Sequence, residues 1–134
     1  MQKSTIIHRE ISYSIIGAAF EVHKVLGPGF LESVYQRALA YEFDLCGIQY
    51  EQQKPLDVYY KDRLVGEYLA DFVVCNEVIL EIKAVSNLLP AHTAQAYNYL
   101  AATGMELAIL INFGSASLQQ KRIILTRNRN SELK

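Results

Sequence analysis

Cysteine is nearly missing from this chain: Cys46 and Cys75 are its two examples, too few for a disulfide framework and without the paired spacing of a zinc site. Both are expected to be reduced and buried, so redox chemistry and structural zinc are set aside. Proline and glycine are also sparse, 3 and 7 of 134 residues, which excludes collagen-like and Pro/Gly-rich low-complexity architectures. No apolar run approaches the roughly 18 residues that a membrane span needs, and the start, MQKSTIIHRE, is too polar for a secretory signal. A cytoplasmic protein with no membrane partner is the expectation. Neither sign of charge dominates: 13 Lys and Arg stand against 14 Asp and Glu, a formal net charge of -1. That balance argues against a strongly basic nucleic-acid binder and leaves room only for a local patch.

What is present is an apolar content of 51% with 20% charged residues, the composition of one folded domain across residues 1–134. From Ile6 to Leu26, residues Ile11, Ile15, Ala18, Ala19 and Val22 recur at helical spacing. Gly27-Pro28-Gly29 stops that helix, and Phe30 to Cys46 returns to the same period, with Gly47 placed as a left-handed cap. From Ile48 the texture turns β-branched and aromatic. Leu56 to Tyr60 and Leu64 to Tyr68 flank the polar Lys61-Asp62-Arg63 and read as a hairpin; Tyr68 to Cys75 and Val78 to Val85 read as a second. Pro90 to Thr103 is a third helix capped by Gly104, and Leu107 to Phe113 and Lys121 to Thr126 close the fold as strands. The order α-α-β-β-β-β-α-β-β predicts an α/β protein with one mixed sheet flanked by helices, its strands on either side of the third helix lying parallel. Residues 128–134 are expected to form a flexible tail.

Charge inside the apolar strands is the sharpest feature. Asp71 lies in one strand, and Glu81 and Lys83 lie in the next, VILEIKAV, whose remaining residues are apolar; burying such groups without compensation is costly. Glu81 and Lys83 share a face, about 7 Å apart by strand rise. Whether Asp71 joins them depends on register. A strict two-residue turn at Asn76-Glu77 sets Asp71 against Ile82, facing away, whereas one extra turn residue sets it against Glu81. A functional site therefore requires a three-residue turn or a bulge; otherwise Glu81 and Lys83 are an edge pair and Asp71 merely ends its strand. Two converging carboxylates repel and call for a cation between them, and an all-oxygen set suits magnesium or manganese. A lysine beside them can hold an attacking water or balance charge developing on a phosphate. Glu32 and Tyr35 fall on one face of the second helix, as do Gln95 and Tyr99 on the third. Taken alone, Glu32 reads as a first-turn capping carboxylate and the second pair as a polar stripe.

In order and spacing, Gly29-x-x-Glu32-x-x-Tyr35, Asp71, Glu81-Ile82-Lys83 and Gln95-x-x-x-Tyr99 resemble the PD-(D/E)XK nuclease superfamily, in particular its small GxxExxY group and the QxxxY motif of RecB-like members. The resemblance implies a restriction-endonuclease-like core and metal-dependent hydrolysis of a phosphodiester by water, leaving a 5′-phosphate. It implies Asp71, Glu81 and the Ile82 carbonyl as ligands of Mg2+ or Mn2+, with Glu32 joining them directly or through water. Lys83 would activate the water, Gln95 would orient Lys83 or a water, and Tyr99 and Tyr35 would touch substrate or support the site. Nucleic acid, with DNA expected, is the implied partner, and analogy adds a homodimer. The competing expectation is a nuclease-fold module that binds nucleic acid or protein without catalysis.

The remaining candidates have plainer readings. His92 opens the third helix as a first-turn hydrogen-bonding residue, and most of the nine tyrosines are expected in the core. Lys121, Arg122, Arg127, Arg129 and Lys134 face a single acid, Glu132, which makes this C-terminal segment the best candidate for a phosphate-contacting patch.

Overall fold

A computed structural model describes residues 3–126. Its elements are α1 (Lys3–Leu26), α2 (Glu32–Cys46), β1 (Tyr50–Tyr60), β2 (Arg63–Val74), β3 (Val78–Lys83), α3 (Pro90–Thr103), β4 (Leu107–Asn112) and β5 (Gln119–Ile124). The strands form one sheet in the order β1-β2-β3-β4-β5. Only β3 and β4, joined through α3, run parallel. Val78, Leu80 and Ile82 pack with residues of α1 and α2, while Ile79, Ala108 and Leu110 pack with Ala96, Tyr99 and Leu100 of α3. A strand covered on both faces must be apolar on both, and that is how β3 and β4 read. None of the described helices is long and apolar enough to cross a membrane.

Five strands replace the six expected, because Leu64–Tyr68 and Tyr68–Cys75 are one strand. Its ladder with β1 runs from Tyr50 opposite Val74 to Tyr60 opposite Arg63. No turn residue interrupts it: Gly66 sits within the strand opposite Val58, and the apparent break at Tyr68 is only a change in which faces are covered. β2 meets β3 over Phe72 to Val74 alone, so most of β1 and β2 leaves the sheet as a two-stranded ribbon.

Three further expectations are corrected. Both cysteines are free, yet Cys46 is exposed and Cys75 only partly buried. Of the tyrosines, Tyr35 and Tyr99 enter the core, whereas Tyr13, Tyr41, Tyr59, Tyr60, Tyr68 and Tyr97 are exposed, because they lie on outer helix faces and on a ribbon that α3 covers only in part. Of the basic C-terminal segment, Arg127, Arg129 and Lys134 lie outside the described residues, as does the tail at 128–134. Lys121 and Arg122, opposite Leu110 and Ile109, alternate to opposite faces of β5, so they form no common patch.

Tyr35, expected to touch substrate or support the site, lies in the core. It is fully buried and stacks on Phe113 with ring centroids 4.7 Å apart. Its hydroxyl donates to the Gly27 carbonyl and accepts from the Phe30 N–H at 3.2 Å. It thereby clamps the loop between α1 and α2, where Gly29 has φ +110°, a backbone region that favours glycine. Tyr35→Phe is expected to lose about 1–3 kcal/mol, read as an earlier thermal unfolding midpoint.

Candidate active site

The turn between β2 and β3 decides the site. Cys75 and Asn76 have φ of 53° and 58°, and the Glu77 N–H closes the turn on the Val74 carbonyl at 3.0 Å. Val74 nevertheless pairs with Val78, so Glu77 is an extra residue and the loop holds three. That register continues to Asp71 opposite Glu81, with both carboxylates on the α3 side.

Beyond Phe72 and Leu80 the backbone ladder ends, and side chains take it over. The Ile82 N–H donates to Asp71 Oδ2 at 2.7 Å, and the Asp71 N–H donates to Glu81 Oε2 at 3.1 Å. Each carboxylate thus satisfies a backbone amide that the parting strands would have orphaned. On the other side of β2 the ladder also loosens: Gln53, between the paired Gln52 and Lys54, has φ 51°. Left-handed backbone costs a non-glycine residue about 1–2 kcal/mol.

The electrostatics are those of an under-neutralised acidic cluster. Glu81 is 6% exposed; burial first, then repulsion from Asp71 and Glu32, pushes its carboxyl up to about 8, against the pull of the Asp71 amide and Lys83. Asp71 is raised by burial and held down in part by the Ile82 amide, Lys83 and a hydrogen bond from Gln36. Glu32 is raised by desolvation and by Asp71, with Lys83 opposing. It caps nothing: Leu31 is the N-cap residue and α2 has no side-chain cap. Lys83 is half-buried and forms no direct ion pair among the described residues, so its charge acts on all three acids through space.

A family model of the PD-(D/E)XK nuclease superfamily matches residues 9–123. The chain belongs to that superfamily. The crystal structure of SSO0001 superposes with a TM-score of 0.57 at 16% sequence identity, covering 75% of this chain and 53% of that one. The chain spans about half the length of that protein, and a likeness at this identity bears on the fold alone. No curated protein matches the chain.

In this superfamily member, then, Asp71, Glu81, Lys83 and Glu32 share one electrostatic neighbourhood at the fork. Gln95 is not hydrogen-bonded to any of them. It is exposed and lies in a groove beyond Tyr99. Tyr99 borders both places: burial, then the charges of Glu81, Tyr68 and Asp71, raise its hydroxyl. His92 Nδ1 accepts the Leu89 N–H at 3.0 Å, a bond of the first helical turn.

Two residues escape sequence reasoning. Gln36, which donates to Asp71 and accepts from Gln53 Nε2 at 3.1 Å, lies one helical turn after Glu32, and that spacing was its available signal. Asn112 is the lone polar residue of a fully buried strand; it secures the chain that follows Lys83.

Proposed function

We propose that the chain is a divalent-metal-dependent nuclease that hydrolyses phosphodiester bonds of DNA by direct attack of water, leaving a 5′-phosphate. The observation that carries this reading is the reciprocal pairing of Asp71 and Glu81 across a fork in the sheet, with Lys83 on the same face. A pair of carboxylates this close, one of them 6% exposed and raised to about 8, is an environment that a hard cation stabilises. Asp71 and Glu81 would hold Mg2+ or Mn2+. The Ile82 carbonyl leaves its strand on the same edge as the amide bound to Asp71 and suits a third ligand. Glu32, whose carboxyl feels the charges of Asp71 and Lys83, would join them directly or through water. When bound, the ion supplies Lewis acidity at the phosphate and makes the attacking water more acidic.

The chain's own groups do the rest. Lys83, held on the same face as Glu81 and without a direct carboxylate partner among the described residues, orients the water and balances negative charge that grows on the phosphate oxygens. Gln36 positions Asp71. Tyr99, beside the carboxylates, lies where the scissile strand would pass. A second copy of the chain as partner remains part of the proposal by analogy, and a solution mass equal to a monomer would remove it.

One observation favours a binding module without catalysis: both carboxylates are already spent on backbone amides. Calorimetry separates the two readings. Magnesium and manganese are expected to bind the wild type and not Glu81→Ala, with cleavage of labelled DNA lost in the same variant. Absence of metal binding in the wild type would overturn the nuclease reading.

A further inference from the structure

The ribbon of β1 and β2 leaves the sheet at the carboxylates and curls over α3, with Leu56 in the core cluster that holds Ala96 and Tyr99. Tyr68, opposite Leu56, leans on Tyr99 with ring centroids 5.3 Å apart at 46°, yet is 47% exposed. Between ribbon and helix runs a groove of about 520 Å3 bordered by Val58, Tyr68, Ala94, Gln95, Asn98 and Tyr99. Gly66 leaves room at its rim: a Cβ there would meet Val58 Cβ at 3.7 Å and the Tyr68 ring at 4.0 Å.

The chemistry of this groove is specific. Its lining holds no charged side chain, so phosphate is a poor occupant. Gln95 and Asn98 are exposed and their side chains make no hydrogen bond to any described residue, which leaves two amides able to donate and accept. A ring face beside free amides matches the face and edge of a nucleobase. Continuity with the catalytic fork through Tyr99, whose hydroxyl feels Glu81 and Asp71, selects a base of the strand being cut over a peptide. A base inside a duplex offers neither its face nor its Watson–Crick edge; only an unpaired one can lie on Tyr68 and reach both amides.

We propose that the groove between Tyr68 and α3 holds an unpaired nucleobase next to the scissile phosphate, making single-stranded or frayed nucleic acid the preferred substrate. This rests on the nuclease reading and names its substrate class. Tyr68 is a specificity residue here, and the amides of Gln95 and Asn98 read the base rather than serve Lys83.

The test is fluorescence anisotropy with a short labelled single strand, the same strand carrying one abasic position, and the blunt duplex, with Ca2+ in place of Mg2+. Wild type is expected to bind the single strand at least about tenfold more tightly than the duplex. Tyr68→Ala should weaken that binding by about 5- to 100-fold, while Tyr68→Phe, which keeps the ring, restores it. Ala94→Trp, at an exposed position, fills the groove without removing any group and should produce the same loss at an unchanged melting temperature. DNA and RNA single strands should lose affinity alike, because stacking does not read the sugar. Equal binding of single strand by wild type, Tyr68→Ala and Ala94→Trp overturns the base pocket. If wild type still cleaves duplex DNA in that case, the nuclease reading stands. Failure of wild type to bind or cleave any strand overturns both.

Discussion

Glu81→Gln is expected to stabilise the protein in EDTA at pH 8 while abolishing cleavage. The sign follows from where the proton sits. Glu81 has a folded pKa of about 8 against an ordinary 4.5, so between those values the native state keeps a proton that the unfolded chain has released. Stability then falls as pH rises: the contribution is whole below pH 4.5, declines across the interval and is gone once pH passes about 8. At about 1.4 kcal/mol per unit the full loss is at most about 4–5 kcal/mol. Asp71 and Glu32 are raised as well and tilt the curve the same way. Glutamine keeps an oxygen for the Asp71 amide and carries no charge, so urea melts of the variant should flatten with pH and cross above wild type on the alkaline side. Magnesium should restore the wild type at pH 8, as a ligand that binds only the folded form must, and leave the variant unmoved. Cleavage by the variant should fall at least about 100-fold. Wild-type stability that climbs from pH 5 to pH 8 in EDTA would contradict the buried, repelling pair.

Much of this candidate site is legible in the sequence, and the reason is burial. Asp71, Glu81 and Lys83 stand out because apolar strands make charge conspicuous, and the period of two puts Glu81 and Lys83 on one face without further information. The register of Asp71 was conditional on one turn residue, and Glu77 supplies it. The chain gave less notice where the signal was shared by two structures. Alternation cannot tell one long strand from two short ones when no turn residue intervenes, so β2 read as two. Tyr35 and Tyr99 both follow a helical period, yet only distant partners decide that Tyr35 faces Phe113 and Gly27 while Tyr99 faces the carboxylates. Gln95 shares a face with Tyr99 on the helix and borders the groove beside the ribbon, one turn away from the tyrosine that reaches the carboxylates. Gln36 offered only its spacing of one helical turn from Glu32, because its partners, Asp71 and Gln53, lie on other elements.

Gly114→Ala and Asn112→Ala are expected to be among the costliest single changes away from the carboxylates, and they act on Lys83 from behind. A Cβ on Gly114 would lie 2.4 Å from the Val85 carbonyl oxygen, 2.5 Å from its nitrogen and 2.6 Å from the Ala84 carbonyl carbon. These are backbone atoms, so no rotamer relieves the collision and the segment after β3 must move, at about 1–3 kcal/mol for overpacking. Asn112 is fully buried. Its Oδ1 accepts the Val85 N–H at 2.9 Å and the Gly114 N–H at 3.0 Å, and its Nδ2 donates to the Val85 carbonyl at 2.8 Å and to Gln119 Oε1 at 2.9 Å. Removing that amide strips two backbone N–H groups of their acceptor, about 2–5 kcal/mol in sum. Parallel pairing cannot hold this segment, because β3 ends at Lys83 and the Lys83 carbonyl accepts the last ladder bond, from the Phe113 N–H at 2.9 Å. Both variants should therefore lower the urea midpoint and, where still folded, lower kcat more than they weaken magnesium binding, since the disturbed segment follows Lys83 directly, whereas Asp71 is on β2 and Glu81 lies two residues before Lys83. A fall in metal affinity as large as the fall in kcat would instead mean that the damage spreads through the whole fork.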